Sequence, residues 1–286
     1  MPSHPFLLNP PTTPRPKPLT LAGWARALIR VPLLIAWTLV LMAACAVALL
    51  IGLVAPAAIT QMRRRVPGVW ARGVGLIAAI DIVVEGEVPQ RPALWVSNHL
   101  GYLDPVIFLA LRPLYFLAKS EVRGWPGIGT AGRMIGTLFI DRARKRDLLR
   151  VIPEMQTLLE AGETVLFFPE GTSTHGGLLL PFRSSLFEAA ARSGAEVQCV
   201  SLHFQTDPAD PPAWESVCWW GNMTFADHAF RLLALRRVQA RVRIVPKPVL
   251  WSENRKALSQ AAERETGAHF EPIPGAPGSD TDWTTR

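Results

Sequence analysis

Between Val31 and Ala55 the chain runs for 25 residues without an acid or a base apart from the thiol of Cys45. As a helix, such a run is about 37 Å long at roughly 1.5 Å per residue, enough to cross a hydrocarbon core of about 30 Å with some tilt. Arg26 and Arg30 precede it, Arg63, Arg64 and Arg65 follow it, and Trp24 and Trp37 suit a membrane interface. A cleavable signal peptide fits poorly, because the run is long, starts late and has a basic far flank. Core helices of soluble domains rarely run this far without a charged position. Pro56 ends or kinks the run, and Val66 to Ile80 reads as a second, shorter helix. Two placements satisfy this pattern: one spanning helix, or a two-helix membrane hairpin sunk into one leaflet with the arginines at anionic headgroups.

The charge supports that reading. The net charge is +7, from 30 Lys and Arg against 23 Asp and Glu, but no acid precedes Asp81. The first 80 residues hold eight basic groups, and the remainder is almost balanced, with 22 basic and 23 acidic groups. A nucleic-acid binder needs its excess charge on the folded body. Here the excess lies beside the apolar run, so membrane lipids are the expected partner and nucleic acid is not. A hydrophobic content of 49% excludes a mostly disordered chain. Cys45, Cys199 and Cys218 have no metal-ligand spacing, so free thiols in a reducing compartment are expected, with no metal site.

The chain divides into four parts. Residues 1–20 contain seven prolines and are expected to be extended or disordered. Residues 21–80 form the membrane-embedded helical segment, 81–265 the body, and 266–286, rich in Gly, Pro, Ser, Thr and Asp, a flexible tail. Strands are predicted at Ile82–Glu85, Ala93–Ser97, Leu114–Ala118, Thr137–Ile140, Thr164–Phe168, Val197–Phe204 and Val242–Val245. Helices are predicted from Pro105 with Asp104 as its cap, over Arg146–Glu160, and over Phe182–Arg192. The alternation predicts an α/β body with a mixed, largely parallel sheet flanked by helices. Chemistry in such sheets sits on loops leaving the strand C-termini.

Two of those loops carry reactive groups. The segment Ser97-Asn98-His99-Leu100-Gly101-Tyr102-Leu103-Asp104-Pro105 follows a strand. His99 and Asp104 can act as a base and its orienting carboxylate, provided His99 lies on the turn and Asp104 at the helix start. In Phe167-Phe168-Pro169-Glu170-Gly171-Thr172-Ser173 an apolar strand runs into an acid, a glycine and hydroxyls. There Glu170 can bind a polar substrate, and the amides near Gly171 can face an anion. A third element, Gly136 to Arg142, brings Arg142 to a strand end, where it can grip phosphate or carboxylate. Arg144, Lys145 and Arg146 extend it into a small basic patch. A serine hydrolase needs a Gly-x-Ser-x-Gly elbow, which the sequence lacks. Gly127-Ile128-Gly129-Thr130-Ala131-Gly132 matches a dinucleotide-binding pattern, but it does not follow an apolar strand.

Taken together, these elements resemble the glycerolipid acyltransferase family, whose best-known members acylate 1-acylglycerol-3-phosphate. Asn98-His99 with Asp104 is similar to its His-x4-Asp motif, Phe139-Ile140-Asp141-Arg142 to its second motif and Phe168-Pro169-Glu170-Gly171-Thr172 to its third. Lys119, Pro126 to Gly129 and Pro181-Phe182-Arg183 resemble its connecting segments. The resemblance implies a membrane-bound O-acyltransferase with His99 as base and Asp104 as its partner. It also implies that Asn98, Phe139, Arg142, Glu170, Gly171 and Thr172 lie at the substrates. The donor is expected to be an acyl carrier protein or CoA thioester, with no permanently bound cofactor. The implied acceptor is 1-acyl-sn-glycerol-3-phosphate, giving phosphatidic acid, and the implied location is the cytoplasmic face of the inner membrane. Two positions depart from the family pattern: Ser173 stands where an Arg linked to acceptor phosphate is frequent, and Cys199 where a Pro is usual. Cys218-Trp219-Trp220-Gly221-Asn222-Met223 resembles a segment of lyso-ornithine lipid acyltransferases, which makes lyso-ornithine lipid the alternative acceptor.

Overall fold

The computed structural model describes residues 12–279, apart from 126, 142 and 143 and the side chain of Lys145. Arg142, the start of the Pro-rich segment and the end of the C-terminal tail therefore lie outside the described residues.

Two helices come first. Helix α1 spans Leu21–Ile51 and α2 spans Ala57–Ala78. The second starts well before Val66, because the arginine triplet, made of good helix formers, continues it rather than interrupting it. The two fold back on each other as a hairpin. Trp37 Nε1 donates to the Trp70 carbonyl at 3.1 Å, and Trp70 Nε1 donates to Thr38 Oγ1 at 3.1 Å. Helix α1 is long and apolar enough to cross a membrane. Its Leu28, Ile29, Leu33, Ile35, Leu39, Val40, Val47 and Leu50 are exposed. The arginines do not all face outward. Arg63 reaches the Met134 carbonyl at 3.5 Å, and Arg64 lies 3.9 Å from Glu163.

The body holds seven strands: β1 (Ile80–Glu85), β2 (Leu94–Ser97), β3 (Tyr115–Lys119), β4 (Leu138–Ile140), β5 (Val165–Phe167), β6 (Val197–Thr206) and β7 (Val238–Ile244). All seven strands predicted from sequence are present. They form one sheet in the order β1-β7-β6-β2-β5-β3-β4. Neighbours run parallel except β6 and β7, which are antiparallel. The helices are α3 (Asp104–Leu111), α4 (Ile128–Ile135), α5 (Lys145–Glu160), α6 (Glu188–Ser193), α7 (Ala213–Ser216), α8 (Phe225–Ala234) and α9 (Arg255–His269). Pro153 lies inside an unbroken α5. The helix predicted over Phe182–Arg192 is a 3-10 turn, Ser184–Phe187, leading into α6. Gly127 precedes α4 after the 3-10 turn Ser120–Gly124, so no strand-to-helix nucleotide loop forms there.

Strand β2 is buried along its whole length, as expected of a parallel strand covered on both faces. Leu94 and Val96 join the cluster of Met155, Phe167, Phe187 and Cys199 on one face. Trp95 joins Phe108, Phe168, Leu202 and Trp220 on the other. Cys199 acts here as a small buried hydrophobe. The hairpin is fastened to the body at its open end. Arg26 and Arg30 donate to the carbonyls of Leu233, Ala234 and Leu235, where α8 ends and its backbone acceptors lack partners.

The loose tail expected from Thr266 is packed as far as it is described. Helix α9 continues to His269, Thr266, Ile273 and Ala276 are buried, and Glu271 pairs with Arg241 at 2.8 Å. Apolar residues spaced among the prolines and glycines anchor this stretch against the body.

Candidate active site

β2 and β5 are parallel neighbours, with Val96 opposite Phe167, so the loops leaving their C-terminal ends meet at one edge of the sheet. His99 lies on the first loop and Glu170 on the second.

The imidazole of His99 is held on three sides. Its Nδ1 lies 2.7 Å from Asp104 Oδ2. Its face stacks on Phe168, with centroids 4.1 Å apart and planes 10° from parallel. Its backbone N–H donates to Glu170 Oε1 at 2.6 Å, and its carbonyl accepts from the Thr174 N–H at 2.9 Å. With the Nδ1 proton directed at a carboxylate, Nε2 carries the lone pair. The side chain keeps 16% of its surface exposed, so the ring is reachable from outside.

Asp104 is 0% exposed. It was expected to cap α3, but it is the first residue of that helix, and its carboxylate turns back into the loop. Oδ2 accepts from the Leu100 N–H at 2.6 Å and the Gly101 N–H at 3.0 Å as well as from His99. Three donors offset the burial of the charge.

The remaining expected residues divide. Glu170 is 1% exposed and faces no open space: Oε1 accepts from His99 and Oε2 from the Leu180 N–H at 2.8 Å. Burial pushes its carboxyl up to about 8, against the opposing effect of those two amides. Asn98 is also buried away from the opening. Its amide donates to the Leu202 carbonyl at 2.9 Å and accepts from the Leu202 N–H at 2.7 Å, extending the ladder between β2 and β6 by one side chain. Gly171 closes the turn through its N–H to the Phe168 carbonyl at 3.2 Å, and Thr172 is half-buried beside it. Phe139 lies on the edge strand β4, where its ring approaches Gly132 of α4.

A third loop completes the edge, and only one of its features was visible in the sequence. The Trp219 N–H donates to the Leu100 carbonyl at 2.8 Å, and Ser173 Oγ donates to the Trp219 carbonyl at 2.5 Å. Tyr102, from the His99 loop, packs on Trp219 and Phe225 and bonds His228 at 2.8 Å. The paired tryptophans marked this segment. The Thr174 and Leu180 backbone contacts had no sequence signal, because any residue supplies an amide. His175, beside them, is fully buried edge-on against Trp220, and burial lowers it to about 4.

Residues 81–203 match the family model described as Acyltransferase. The lyso-ornithine lipid O-acyltransferase of Rhodobacter capsulatus is 34% identical over 263 residues, covering 87% of this chain and 92% of that protein. The 1-acyl-sn-glycerol-3-phosphate acyltransferase of Neisseria meningitidis serogroup B is 32% identical over 201 residues, covering 68% and 78%. The crystal structure of the 1-acyl-sn-glycerophosphate acyltransferase from Thermotoga maritima shares the fold, with a TM-score of 0.58 at 20% identity over 85% of this chain and 97% of that one.

Proposed function

Because the chain belongs to the acyltransferase family that includes 1-acyl-sn-glycerol-3-phosphate and lyso-ornithine lipid acyltransferases, we propose that it acylates the free hydroxyl of a lysolipid at a membrane surface, using an acyl thioester as donor. The observation that carries the mechanism is the single oxygen, Asp104 Oδ2, that gathers His99 Nδ1 and two loop amides. It fixes the tautomer and would offset the charge that appears when the imidazole takes a second proton. His99 Nε2 removes the proton from the acceptor hydroxyl as its oxygen attacks the thioester carbonyl. The Gly171 N–H is spent on the Phe168 carbonyl, so the backbone amides of Thr172 and Ser173 are the ones to stabilise the tetrahedral oxyanion. The C–S bond then breaks, and the imidazolium returns its proton to the departing thiolate. The acyl group passes directly to the acceptor, with no resident cofactor.

Two acceptors fit this chemistry. The motifs support 1-acyl-sn-glycerol-3-phosphate. Lyso-ornithine lipid is supported by a specific observation: Ser173, where a phosphate-linked Arg is frequent, spends its hydroxyl on the carbonyl of Trp219, which lies in the segment that resembles lyso-ornithine lipid enzymes. Purified protein given acyl carrier protein and CoA thioesters with each lysolipid tests both readings. We expect acylated product that is lost in His99→Ala. Equal product from the His99→Ala protein would refute the mechanism.

The membrane reading rests on the hairpin tip. Leu53 and Val54 there are 82% and 87% exposed, and no charge occurs from Val31 to Gln61. A tip that emerged on the far side would place these apolar groups in water, so the hairpin is proposed to end inside the hydrocarbon of one leaflet. The body then sits on the side from which the hairpin enters. High salt is expected to leave the protein in the membrane fraction and detergent to release it. Release by salt alone would contradict the embedded hairpin.

A further inference from the structure

Arg183 lies against the bare face of Gly171. Gly171 has φ of 78°, and a Cβ placed on it would stand 2.9 Å from Arg183 Nε and 3.0 Å from its Cζ. The guanidinium therefore covers the turn that also holds Glu170 and, through it, the His99 amide. Three bonds fix the backbone from which this side chain projects. The Arg183 N–H donates to the Pro169 carbonyl at 2.9 Å, the Phe182 N–H donates to Glu263 Oε2 at 2.9 Å, and Ser259 Oγ donates to the Phe182 carbonyl at 3.2 Å. Phe182 itself is buried.

What this clamped cation lacks is an anion. Arg183 is exposed and has no ion pair among the described residues. Several arginines between β4 and α6 are engaged, Arg144 with Asp141, Arg150 with Asp147 and Glu154, and Arg192 with Glu188, whereas Arg183, held by its backbone, is not. An ordinary solvated arginine has no need of a backbone held at both neighbouring peptides. One that must meet a ligand gains from it, because less freedom is lost on binding. Ser173, a polar side chain of the same turn, is already bonded to Trp219.

Resting on the lysolipid acyltransfer proposed above, we infer that Arg183 binds the anionic headgroup of the acceptor, a phosphomonoester or a carboxylate, and so sets where its hydroxyl lies relative to His99. A guanidinium takes either anion through paired N–H donors. The glycine is required because any side chain at 171 would displace it.

The test is steady-state kinetics of the full chain in detergent, with lysophosphatidate and lyso-ornithine lipid as separate acceptors, together with direct binding of each labelled lysolipid in the absence of donor. For the acceptor that the wild type uses, Arg183→Ala is expected to raise KM and weaken binding by about 10- to 100-fold. The KM for the thioester and the unfolding temperature should stay near wild type, and Arg183→Lys should recover part of the loss. Transfer by the wild type with an acceptor KM unchanged in Arg183→Ala would overturn the headgroup role alone. Loss confined to kcat, or a fall in unfolding temperature that accounts for the lost activity, would also overturn it. A wild type that neither binds nor acylates either lysolipid would overturn this role together with the function it rests on.

Discussion

Glu170 holds His99 by its main chain: the Glu170 Oε1 accepts the His99 N–H at 2.6 Å, while Oε2 accepts the Leu180 N–H at 2.8 Å. One buried carboxyl thus ties the loop after β2 to the turn after β5 and to the segment that returns toward α6. In the proposed reaction Glu170 touches no substrate. It sets the height of the imidazole, while Asp104 and Phe168 set its rotation.

Glu170→Gln puts an NH2 group, which cannot accept, where each carboxyl oxygen, protonated or not, accepts a backbone N–H. One amide loses its partner whichever way the side chain turns. Leaving a buried donor unpaired costs about 1–3 kcal/mol. A displaced base is expected to lower kcat by roughly a hundredfold, with a smaller change in acceptor KM. Chemical unfolding and a kcat-against-KM comparison check this. A variant with wild-type kcat would show that His99 keeps its position without this contact.

Stability should depend on pH in a direction that these buried groups fix. Burial raises Glu170 from 4.5 to about 8, so between those values the folded chain holds a proton that the unfolded chain has released. Its contribution is complete below about 4.5 and is lost as pH rises toward 8. Burial lowers His175 and His228 from 6.5 to about 4, so their contribution is present above 6.5 and is lost as pH falls toward 4. Two histidines outweigh one carboxyl below 6.5, and the carboxyl acts alone among the three above it. The unfolding temperature is expected to peak near pH 6.5, and Glu170→Gln should flatten the alkaline side. An unfolding temperature still rising between pH 6.5 and 8.5 would contradict this assignment.

Asp104→Asn separates charge from geometry. The amide oxygen can occupy the Oδ2 position and keep its three donors, with the nitrogen at Oδ1, which has no hydrogen-bond partner among the described residues. The loop is then retained and the carboxylate charge is lost. On the proposed mechanism kcat falls by on the order of 100- to 10,000-fold, with acceptor binding within a few-fold of wild type. Unchanged kcat would mean that Asp104 serves only to shape the loop.

The sheet was legible because most of its strands carry a short apolar run between turn residues, and burial on both faces leaves that mark at β2 and β5, whereas in the alternating β7 only the last residues stood out. His99 and Asp104 were legible as a pair for the same reason, since a polar group directly after a buried strand stands out. The roles of Asn98 and Glu170 were not. Both side chains end on main-chain groups, of Leu202 and of His99 and Leu180, and a backbone amide has no signature in the residue that carries it. The packed stretch after Thr266 was missed because its composition is that of a loop, while a few residues, buried Ile273 and Ala276 and the paired Glu271, secure it.

The proposed membrane hairpin offers a test independent of the chemistry. In lipid, whose tails are as apolar as the helix faces, α1 and α2 would gain little from hydrophobic association and depend on close packing and cross-helix hydrogen bonds. Gly73 lies under the Trp37 indole, and a Cβ there would stand 2.7 Å from Cζ2 and closer still to Nε1. Gly73→Ala must push the indole aside, breaking its bond to Trp70 and disturbing that of Trp70 to Thr38. Such overpacking costs about 1–3 kcal/mol. The expected outcome is a hairpin that opens more often, read as faster tryptic cleavage at Arg63, Arg64 and Arg65 in detergent. Cleavage at the wild-type rate would show that the tryptophan clasp does not hold the two helices together.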